Sequence, residues 1–265
     1  MKSLKEQFIL SVVTDVVKRA GPTQFSRIFF GDQKNEAVPH GRQEPSVVRI
    51  MDLGCGTAGY VPALLAEFPD IEYVGVEPIP ASFAAAEKNL AGNKNAKVHF
   101  QLGYDTVPDE APGSFDLVFS LSALEHIKQL DQFIALASKY VKQGGMMLHR
   151  YDLGHALTPH SLKERLHVAV GNALPKILPE RQFVRYVSVS EVKQLFEKNG
   201  VSPTDVTYHQ MPNHKQFEKY FKNVDTAAIE DLFNWEMRYQ AEIKMIPEAE
   251  RERLFPAVAV WGEKR

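Results

Sequence analysis

The chain contains 265 residues, of which 44% are hydrophobic and 24% are charged; these values suit a globular α/β domain with insertions and exclude a wholly disordered, collagen-like or fibrous protein. Its 31 lysines and arginines nearly balance its 33 acidic residues, so the net charge of −2 provides no strong field toward nucleic acid or acidic membranes. The single cysteine, Cys55, excludes an intrachain disulfide and a cysteine metal cluster, and no stretch approaches the ~20 apolar residues that cross a bilayer.

The first 45 residues are predicted to form a helical cap followed by a linker. Apolar residues recur at helical spacing over residues 4–19, and Gly21-Pro22 ends that pattern. Residues 31–45 are polar and rich in turn formers. Residues 46–265 are predicted to form one larger domain.

Strands alternate with helices over the first part of this domain. The predicted strands are residues 47–53, 73–77, 98–100, 115–119 and 146–151, and the predicted helices between them are residues 60–68, 81–90 and 130–141. Gly144-Gly145 is predicted to cap the third of these helices. Such alternation implies βαβ units, and therefore a mostly parallel sheet with helices on both faces.

The pattern loosens beyond residue 152. Helices are predicted over residues 161–174, 189–198 and 217–239, and strands over 206–208 and 257–261. Ser188 is the expected N-cap of the second of these helices, with Glu191 as its capping-box partner. The last two strands should be antiparallel neighbours with a helical insertion between them, which gives a seven-stranded sheet.

A glycine-rich loop, Gly54-Cys55-Gly56-Thr57-Ala58-Gly59, follows the first predicted strand and leads into a helix. Glycines here allow positive φ and close approach of a ligand, and the exposed N–H groups favour electron-rich ligand groups. Dinucleotide sites and S-adenosylmethionine sites both use this spacing, and a tight turn without a ligand is the structural alternative. The loop alone therefore leaves the ligand open.

Two acidic residues bear on the choice of ligand. Asp52 lies two residues before the first glycine, where a carboxylate suits a cationic amino group and repels a pyrophosphate. Glu77 closes the second strand, 18 residues after Gly59, where it can accept the ribose hydroxyls of adenosine in either cofactor. Asp52 therefore favours S-adenosylmethionine.

Residues 46–152 resemble the class I S-adenosylmethionine-dependent methyltransferases. Five segments are similar to the family's motifs in the family's order: V-V-R-I-M-D-L-G-C-G-T-A-G-Y, Y-V-G-V-E-P, V-H-F-Q-L-G-Y-D-T-V-P, G-S-F-D-L-V-F-S-L-S-A-L-E-H-I and L-A-S-K-Y-V-K-Q-G-G-M-M-L-H. The resemblance implies a Rossmann-like fold with a helical lid. It also implies that S-adenosyl-L-methionine contacts Asp52, Gly54, Cys55, Gly56, Gly59, Glu77, Pro78, Tyr104, Asp105, Ser120 and Leu121.

One departure from the family pattern concerns the adenine site. The family often has Asp directly after the glycine of its third motif, whereas Tyr104 follows Gly103 here and Asp105 comes second. Tyr104 could stack on the adenine ring while Asp105 accepts from its amino group, and the sequence does not choose between them. At the end of the fourth strand, the resemblance implies that backbone carbonyls of Ser120 and Leu121 meet the methionine end of the cofactor.

Methyl transfer needs an aligned acceptor, and an oxygen acceptor also needs a group that removes its proton. The candidates on the acceptor side, which spans about residues 153–256 and the loops after the fourth and fifth strands, are His126, Tyr151 and His155. A local structural role is the alternative for each, and His149 is expected to be structural. Arg181 and Arg185 either lie on a solvated charged face, which the sequence favours, or hold an acidic or phosphorylated acceptor. Six aromatic residues either line an acceptor pocket or belong to the core: Tyr208, Tyr220, Phe221, Phe233, Trp235 and Tyr239.

The sequence thus predicts a cytoplasmic enzyme that methylates a small molecule or glycan, at oxygen, without a metal. A nucleic-acid acceptor is disfavoured, because Ser120-Leu121-Ser122-Ala123 stands where methyltransferases of base amino groups carry an Asn/Asp-Pro-Pro-aromatic segment. The alternatives are an NAD(P)-dependent oxidoreductase and a non-catalytic subunit that binds S-adenosylmethionine for regulation or as a scaffold. A homodimer is compatible with the sequence.

Overall fold

The computed structural model of the chain describes residues 47–153, 183–210 and 226–265, together with the single helical positions 166, 169 and 170. Side chains in the last range are described from residue 231 onward. The predicted N-terminal helix and linker, most of the helix predicted over residues 161–174, and the first part of the helix predicted over 217–239 lie outside the described residues.

Seven strands and seven α-helices make up the described part of the chain. The strands are β1 (Val48–Leu53), β2 (Ile71–Glu77), β3 (Ala96–Phe100), β4 (Phe115–Leu121), β5 (Val141–Asp152), β6 (Val201–His209) and β7 (Ala257–Lys264). The helices are α1 (Val61–Glu67), α2 (Pro80–Leu90), α3 (Leu130–Tyr140), α4 (Val189–Lys198), α5 (Thr226–Arg238), α6 (Gln240–Met245) and α7 (Glu248–Leu254), and a single 3₁₀ turn spans Leu124–His126.

One sheet contains all seven strands in the order β3-β2-β1-β4-β5-β7-β6. The strands β1 to β5 pair in parallel, and β7 lies antiparallel between β5 and β6. The predicted mostly parallel seven-stranded sheet is confirmed, and so is the antiparallel final pair with helices between its strands. The chain leaves β1 toward β2 and later crosses to β4 on the other side, so the sheet has a topological switch point between β1 and β4. Ligands of open α/β sheets bind at the carboxyl edge of such a point.

The central strands are buried on both faces, which explains their nearly continuous apolar sequences. In β1, Ile50, Met51 and Leu53 are at most 1% exposed. Met51 and Leu53 belong to the hydrophobic cluster that includes residues of α3 and α4, whereas Ile50 belongs to the cluster that includes residues of α1 and α2. The two clusters hold the sheet between helical layers and leave its strand ends to form the site.

The glycine pair Gly144-Gly145, near the start of β5, departs from the prediction. Helix α3 ends at Tyr140 and β5 begins at once, so Gly144 and Gly145 lie in an irregular part of the strand and do not cap the helix. Gly144 has a φ of 71°. A Cβ at Gly145 would lie 2.9 Å from the carbonyl oxygen of Lys142 and 3.0 Å from that of Asp116. The pair therefore permits a bulge that packs closely on β4.

The expected N-cap of α4 is present, but its capping box is incomplete. Ser188 Oγ accepts the N–H of Glu191 at 3.1 Å. The Glu191 carboxylate pairs with the Arg185 guanidinium instead of returning to the cap. Arg185 is therefore engaged in an ion pair at the start of α4, while Arg181 lies outside the described residues.

The carboxylate of Glu110, in the connection between β3 and β4, is buried and contacts side chains of β1 and β3. The Glu110 side chain is 1% exposed and accepts from Arg49 at 2.9 Å, from Lys97 at 2.6 Å and from His99 at 3.2 Å. Burial alone would raise the pKa of Glu110, but its hydrogen bonds to Lys97, His99 and Arg49 outweigh burial and lower it. The two cationic partners, Arg49 and Lys97, together with the hydrogen bond to His99, thus keep this carboxylate ionised inside the fold.

Candidate active site

The glycine loop turns back onto the end of β2. The N–H groups of Gly54 and Cys55 both donate to the carbonyl of Val76, at 2.8 and 3.1 Å. Gly54 and Gly56 have φ angles of 79° and 59°, a region that favours glycine. A Cβ at Gly56 would meet nothing within 4 Å, so the loop is open there. The loop lies at the carboxyl end of β1, beside the switch point of the sheet.

Glu77 joins the loop to the end of β2. One carboxylate oxygen accepts the N–H of Gly56 at 2.8 Å, and the other accepts the N–H of Ile79 at 3.0 Å. Burial raises the pKa of Glu77, and these two hydrogen bonds oppose that rise. Each oxygen has a second lone pair for a further donor. The adjoining Pro78 is exposed at the same edge.

Asp52 lies behind the loop and is 1% exposed. Its Oδ2 accepts the hydroxyl of Tyr60 at 2.6 Å and that of Tyr73 at 3.1 Å. Burial raises the pKa of Asp52 to about 7; the two tyrosine hydrogen bonds lower it and the charge of Glu77 raises it further. The sequence interpretation missed the two tyrosines, although Tyr60 directly follows the loop and Tyr73 shares a face of β2 with Glu77.

The loop after β3 carries both candidates for the adenine contact. Tyr104 is half-buried and stands edge-on to Phe133, with ring centroids 6.1 Å apart. Asp105 is exposed, and its backbone carbonyl accepts from Lys139 at 3.1 Å. The structure thus places an aromatic ring and a carboxylate side by side in this loop, and the choice between them stays a prediction.

At the end of β4, the side chain of Ser120 is buried in the core. Ser120 Oγ lies 2.8 Å from Nδ1 of His149, and both residues are fully buried. Burial lowers the pKa of His149 to about 3, so this ring is neutral. His149 is therefore the structural histidine that the sequence predicts. The carbonyl groups of Ser120 and Leu121, and not the serine hydroxyl, remain the candidates for the cofactor contact.

Two of the three candidate catalytic residues are described. His126 lies in the 3₁₀ turn after β4, half-buried, with Nδ1 2.8 Å from the carbonyl oxygen of Phe183. A carbonyl only accepts, so Nδ1 carries the proton of the neutral ring and Nε2 is its basic nitrogen. Tyr151 is fully buried near the end of β5, and its hydroxyl has no hydrogen-bond partner among the described residues. His155 lies outside them.

A buried charge network at the ends of β5 and β6 was not predicted. Arg150 is 1% exposed; burial lowers its pKa to about 10, against the opposing charges of Asp152, Glu236 and Glu125. His209 Nδ1 lies 3.0 Å from the Glu236 carboxylate, and its ring stacks on Phe233. The ends of β5 and β6 therefore bury several ionisable groups close to the candidate site.

The aromatic residues of the insertion fall into two groups. Tyr208 and Phe233 are 5% exposed and belong to the core. Trp235 and Tyr239 are 46% and 38% exposed, with ring centroids 5.2 Å apart. Tyr220 and Phe221 lie outside the described residues. Tyr208 and Phe233 are thus core residues, and an acceptor-pocket role for Trp235 and Tyr239 stays a prediction.

The described ranges also bear on two other classes of site. They contain no group of three His, Cys, Asp or Glu side chains placed to hold a metal ion. Within the same ranges, no helix is both long and apolar enough to cross a membrane.

Part of the chain is similar in sequence to known methyltransferases. Residues 51–147 match the sequence model of a family described as "Methyltransferase domain". The chain is 22% identical over 166 residues to a malonyl-[acyl-carrier protein] O-methyltransferase of Paenibacillus sp. (strain JDR-2), over 62% of this chain and 58% of that protein. It is 26% identical over 166 residues to a ubiquinone biosynthesis O-methyltransferase of Nitrobacter winogradskyi, over 60% of this chain and 58% of that protein. The aligned parts thus span less than two thirds of these relatives.

A solved structure shows the same fold. Geranyl diphosphate C-methyltransferase from Streptomyces coelicolor A3(2), in complex with Mg²⁺, geranyl diphosphate and S-adenosyl-L-homocysteine, matches with a TM-score of 0.55 at 15% identity, over 84% of this chain and 75% of that chain. The sheet order and the glycine loop at its switch point therefore define a Rossmann-like protein of the methyltransferase type. Residues 51–147 thus carry a methyltransferase domain, and the chain is similar in sequence and fold to the class I S-adenosylmethionine-dependent methyltransferases.

Proposed function

We propose that this protein transfers the methyl group of S-adenosylmethionine to an oxygen atom of a small molecule or glycan. The observation that carries the proposal is the site at the switch point, where the glycine loop, Glu77 and Asp52 meet at the carboxyl edge of β1 and β2. The two O-methyltransferase relatives support an oxygen acceptor. The match of residues 51–147 to a methyltransferase family model favours methyl transfer over the hydride transfer of an NAD(P)-dependent oxidoreductase.

The residues at the loop fit the cofactor chemically. The opening at Gly56 admits a ligand to the backbone, and Glu77 has lone pairs left for two ribose hydroxyls. Asp52 has a buried oxygen, Oδ1, that accepts no hydrogen bond within the described part of the chain and can receive the amino group. Tyr104 or Asp105 would contact adenine. When bound, the sulfonium supplies an activated methyl group, so the protein's main task is to align the acceptor.

His126 is the proposed base among the described residues. The Phe183 carbonyl orients the ring through Nδ1, so Nε2 is the basic nitrogen of the neutral ring and the atom proposed to take the acceptor's proton. Tyr151 suits a positioning role better than proton removal, because burial raises the pKa of its hydroxyl well above the ordinary value. His155 stays a candidate base from the sequence.

The test begins with calorimetric titration of the protein with S-adenosylmethionine, S-adenosylhomocysteine and NADH. Binding of the first two and not of NADH is expected; binding of NADH alone would overturn the proposal. Methyl transfer to phenols, carboxylic acids and oligosaccharides then identifies the acceptor class. Cofactor binding without transfer to any of them would favour a non-catalytic regulatory or scaffold role.

The role of His126 is tested with His126→Gln against His99→Gln, a histidine on β3 that pairs with Glu110. We expect His126→Gln to lower kcat about 100-fold or more and to leave cofactor affinity unchanged, because a general base contributes roughly 10²–10⁴-fold. The His99 variant should keep kcat. Equal kcat values for both variants would remove His126 as the base.

A further inference from the structure

Behind the glycine loop, a carboxylate is held by two phenols from different elements. Tyr60 immediately precedes α1, Tyr73 lies in β2, and both hydroxyls donate to Oδ2 of Asp52, at 2.6 and 3.1 Å. The rings meet edge-on with centroids 6.4 Å apart. A Cβ on Gly75, the register partner of Asp52, would lie 2.8 Å from Cys55 Sγ and 3.2 Å from the Tyr73 hydroxyl. The cluster therefore depends on a glycine at that position.

The second oxygen of the Asp52 carboxylate, Oδ1, has different surroundings from Oδ2. Asp52 Oδ1 is buried and accepts no hydrogen bond from any described residue. An unpaired buried acceptor destabilises a fold, and more so when it is charged, so a ligand that supplies the donor would account for this one. Glu77 lies close enough for its charge to disfavour ionisation of Asp52. Two adjacent carboxylates favour a cationic donor over a neutral one.

We infer that Tyr60 and Tyr73 are positioning residues, which engage Oδ2 of Asp52 with both hydroxyls and thereby aim Oδ1 at the ammonium group of S-adenosylmethionine. This inference rests on the proposed function. Neither tyrosine needs to touch the cofactor, since both act through the carboxylate.

The pair of hydrogen bonds that Tyr60 and Tyr73 donate to Asp52 Oδ2, here called the clamp, has a consequence for pH dependence. The groups facing Asp52 are Tyr60 at the start of α1, Tyr73 and Glu77 in β2, and the Cys55 thiol in the loop. Burial raises the pKa of each phenol and of the thiol, so these three stay neutral, while Asp52 itself titrates at about 7. The two phenol hydrogen bonds stabilise the ionised carboxylate. Removing one therefore raises the pKa of Asp52 and leaves less of the charged form near neutrality.

The experiment compares Tyr60→Phe with Tyr186→Phe. Tyr186 also donates its hydroxyl to a carboxylate, Glu252, at 2.9 Å, but it does so beside α7. Dissociation constants are measured by calorimetry at pH 6.5 and 8.5 for S-adenosylmethionine and for 5′-methylthioadenosine, which lacks the amino-acid end. Comparing each variant with the wild type at the same pH cancels the ligand's own titration.

The expected result depends on both pH and ligand. If the lost hydrogen bond raises the pKa of Asp52 from about 7 to about 8, the ionised fraction falls about eightfold at pH 6.5 and less than twofold at pH 8.5. Affinity of Tyr60→Phe for S-adenosylmethionine should fall by the same factors. Affinity for 5′-methylthioadenosine should not change, and Tyr186→Phe should bind both ligands like the wild type. Tyr73→Phe should show a smaller effect, because its hydrogen bond is longer.

Other results would overturn the inference in recognisable ways. An equal loss at both pH values, or an equal loss for both ligands, would mean that Tyr60 only supports the loop. A Tyr60→Phe variant that matches Tyr186→Phe throughout would remove the clamp. Failure of the wild-type protein to bind either ligand would instead refute the proposed function, and with it the inference. Tyr73→Phe provides the same comparison should Tyr60→Phe not fold.

Discussion

Replacing Asp52 by asparagine should make the ligand-free protein more stable at alkaline pH. The wild-type carboxylate is buried, has one unpaired oxygen and lies near a second acidic group. Asparagine has nearly the same shape and carries no charge, while its amide oxygen can still accept from Tyr60 and Tyr73. The substitution therefore removes the cost of a buried charge and keeps most of the packing.

The magnitude follows from the pKa of Asp52, which rises from an ordinary 3.8 to about 7 in the folded protein. At about 1.4 kcal/mol per pKa unit, this corresponds to about 4 kcal/mol. Because the folded state holds a proton that the unfolded state has released, wild-type stability decreases as pH rises from about 4 to about 7 and then levels off. Roughly 2–3 kcal/mol of that decrease falls between pH 5 and pH 8.

Chemical denaturation of both proteins at several pH values from 5 to 8.5 provides the measurement. The unpaired amide N–H groups of asparagine cost about 1–3 kcal/mol, but they do so equally at every pH. The informative quantity is therefore the change with pH in the difference between the two unfolding free energies. We expect this difference to move in favour of Asp52→Asn by about 2–3 kcal/mol over that range. Parallel stability curves would refute a raised pKa at Asp52.

Three further substitutions test other parts of the structure. Glu77→Ala should weaken S-adenosylmethionine binding in calorimetry by about 1–3 kcal/mol, because the proposed ribose hydrogen bonds and the contact to Gly56 are lost together. Glu110→Gln should lower the free energy of unfolding by about 1–3 kcal/mol at pH 7. This loss should shrink in acid, because the lowered pKa of Glu110 provides stability only above the pH at which it protonates. Gly262→Ala should cost about 1–3 kcal/mol in urea denaturation, because its Cβ would lie 2.6 Å from Phe196.

Each of these substitutions has an outcome that contradicts its reasoning. An unchanged dissociation constant for Glu77→Ala would remove the ribose assignment. A loss for Glu110→Gln that is the same at pH 4 and pH 7 would mean that packing, and not charge, accounts for it. For Gly262→Ala, an unchanged denaturation midpoint would mean that α4 moves away from β7 without cost.

The fold could be predicted wherever a short stretch of sequence determines the local structure. Apolar runs, their alternation with helices and the glycine loop locate β1 to β5 and the antiparallel final pair. Gly144-Gly145 was assigned wrongly because a glycine pair after a helix is a common cap, whereas here close pairing between β5 and β4 requires the bulge. That requirement comes from a neighbouring strand, which is not visible in the local sequence.

The glycine loop and the two acidic residues beside it, Asp52 and Glu77, could be predicted from the sequence. The hydrogen bonds of Tyr60 and Tyr73 to Asp52 were missed, because they bring together the residue before α1, a residue of β2 and a residue of β1, and the local sequence shows only where each residue lies in its own element. The burial of Arg150 was missed for a similar reason. An arginine near a strand end is usually solvated, and its burial here is offset by Asp152 of the same strand together with Glu125 and Glu236, which come from two other elements.

The two edges of the sheet bear on how copies of this chain associate. At one edge, β6 contains Pro203, which offers no backbone donor, and its register with β7 shifts between Pro203 and Asp205. At the other edge, β3 has only five residues, one of them Lys97. Short, charged or interrupted edges resist strand-by-strand addition of another molecule. We therefore expect a homodimer of this protein to associate through helical faces, and extended intermolecular sheets to be disfavoured.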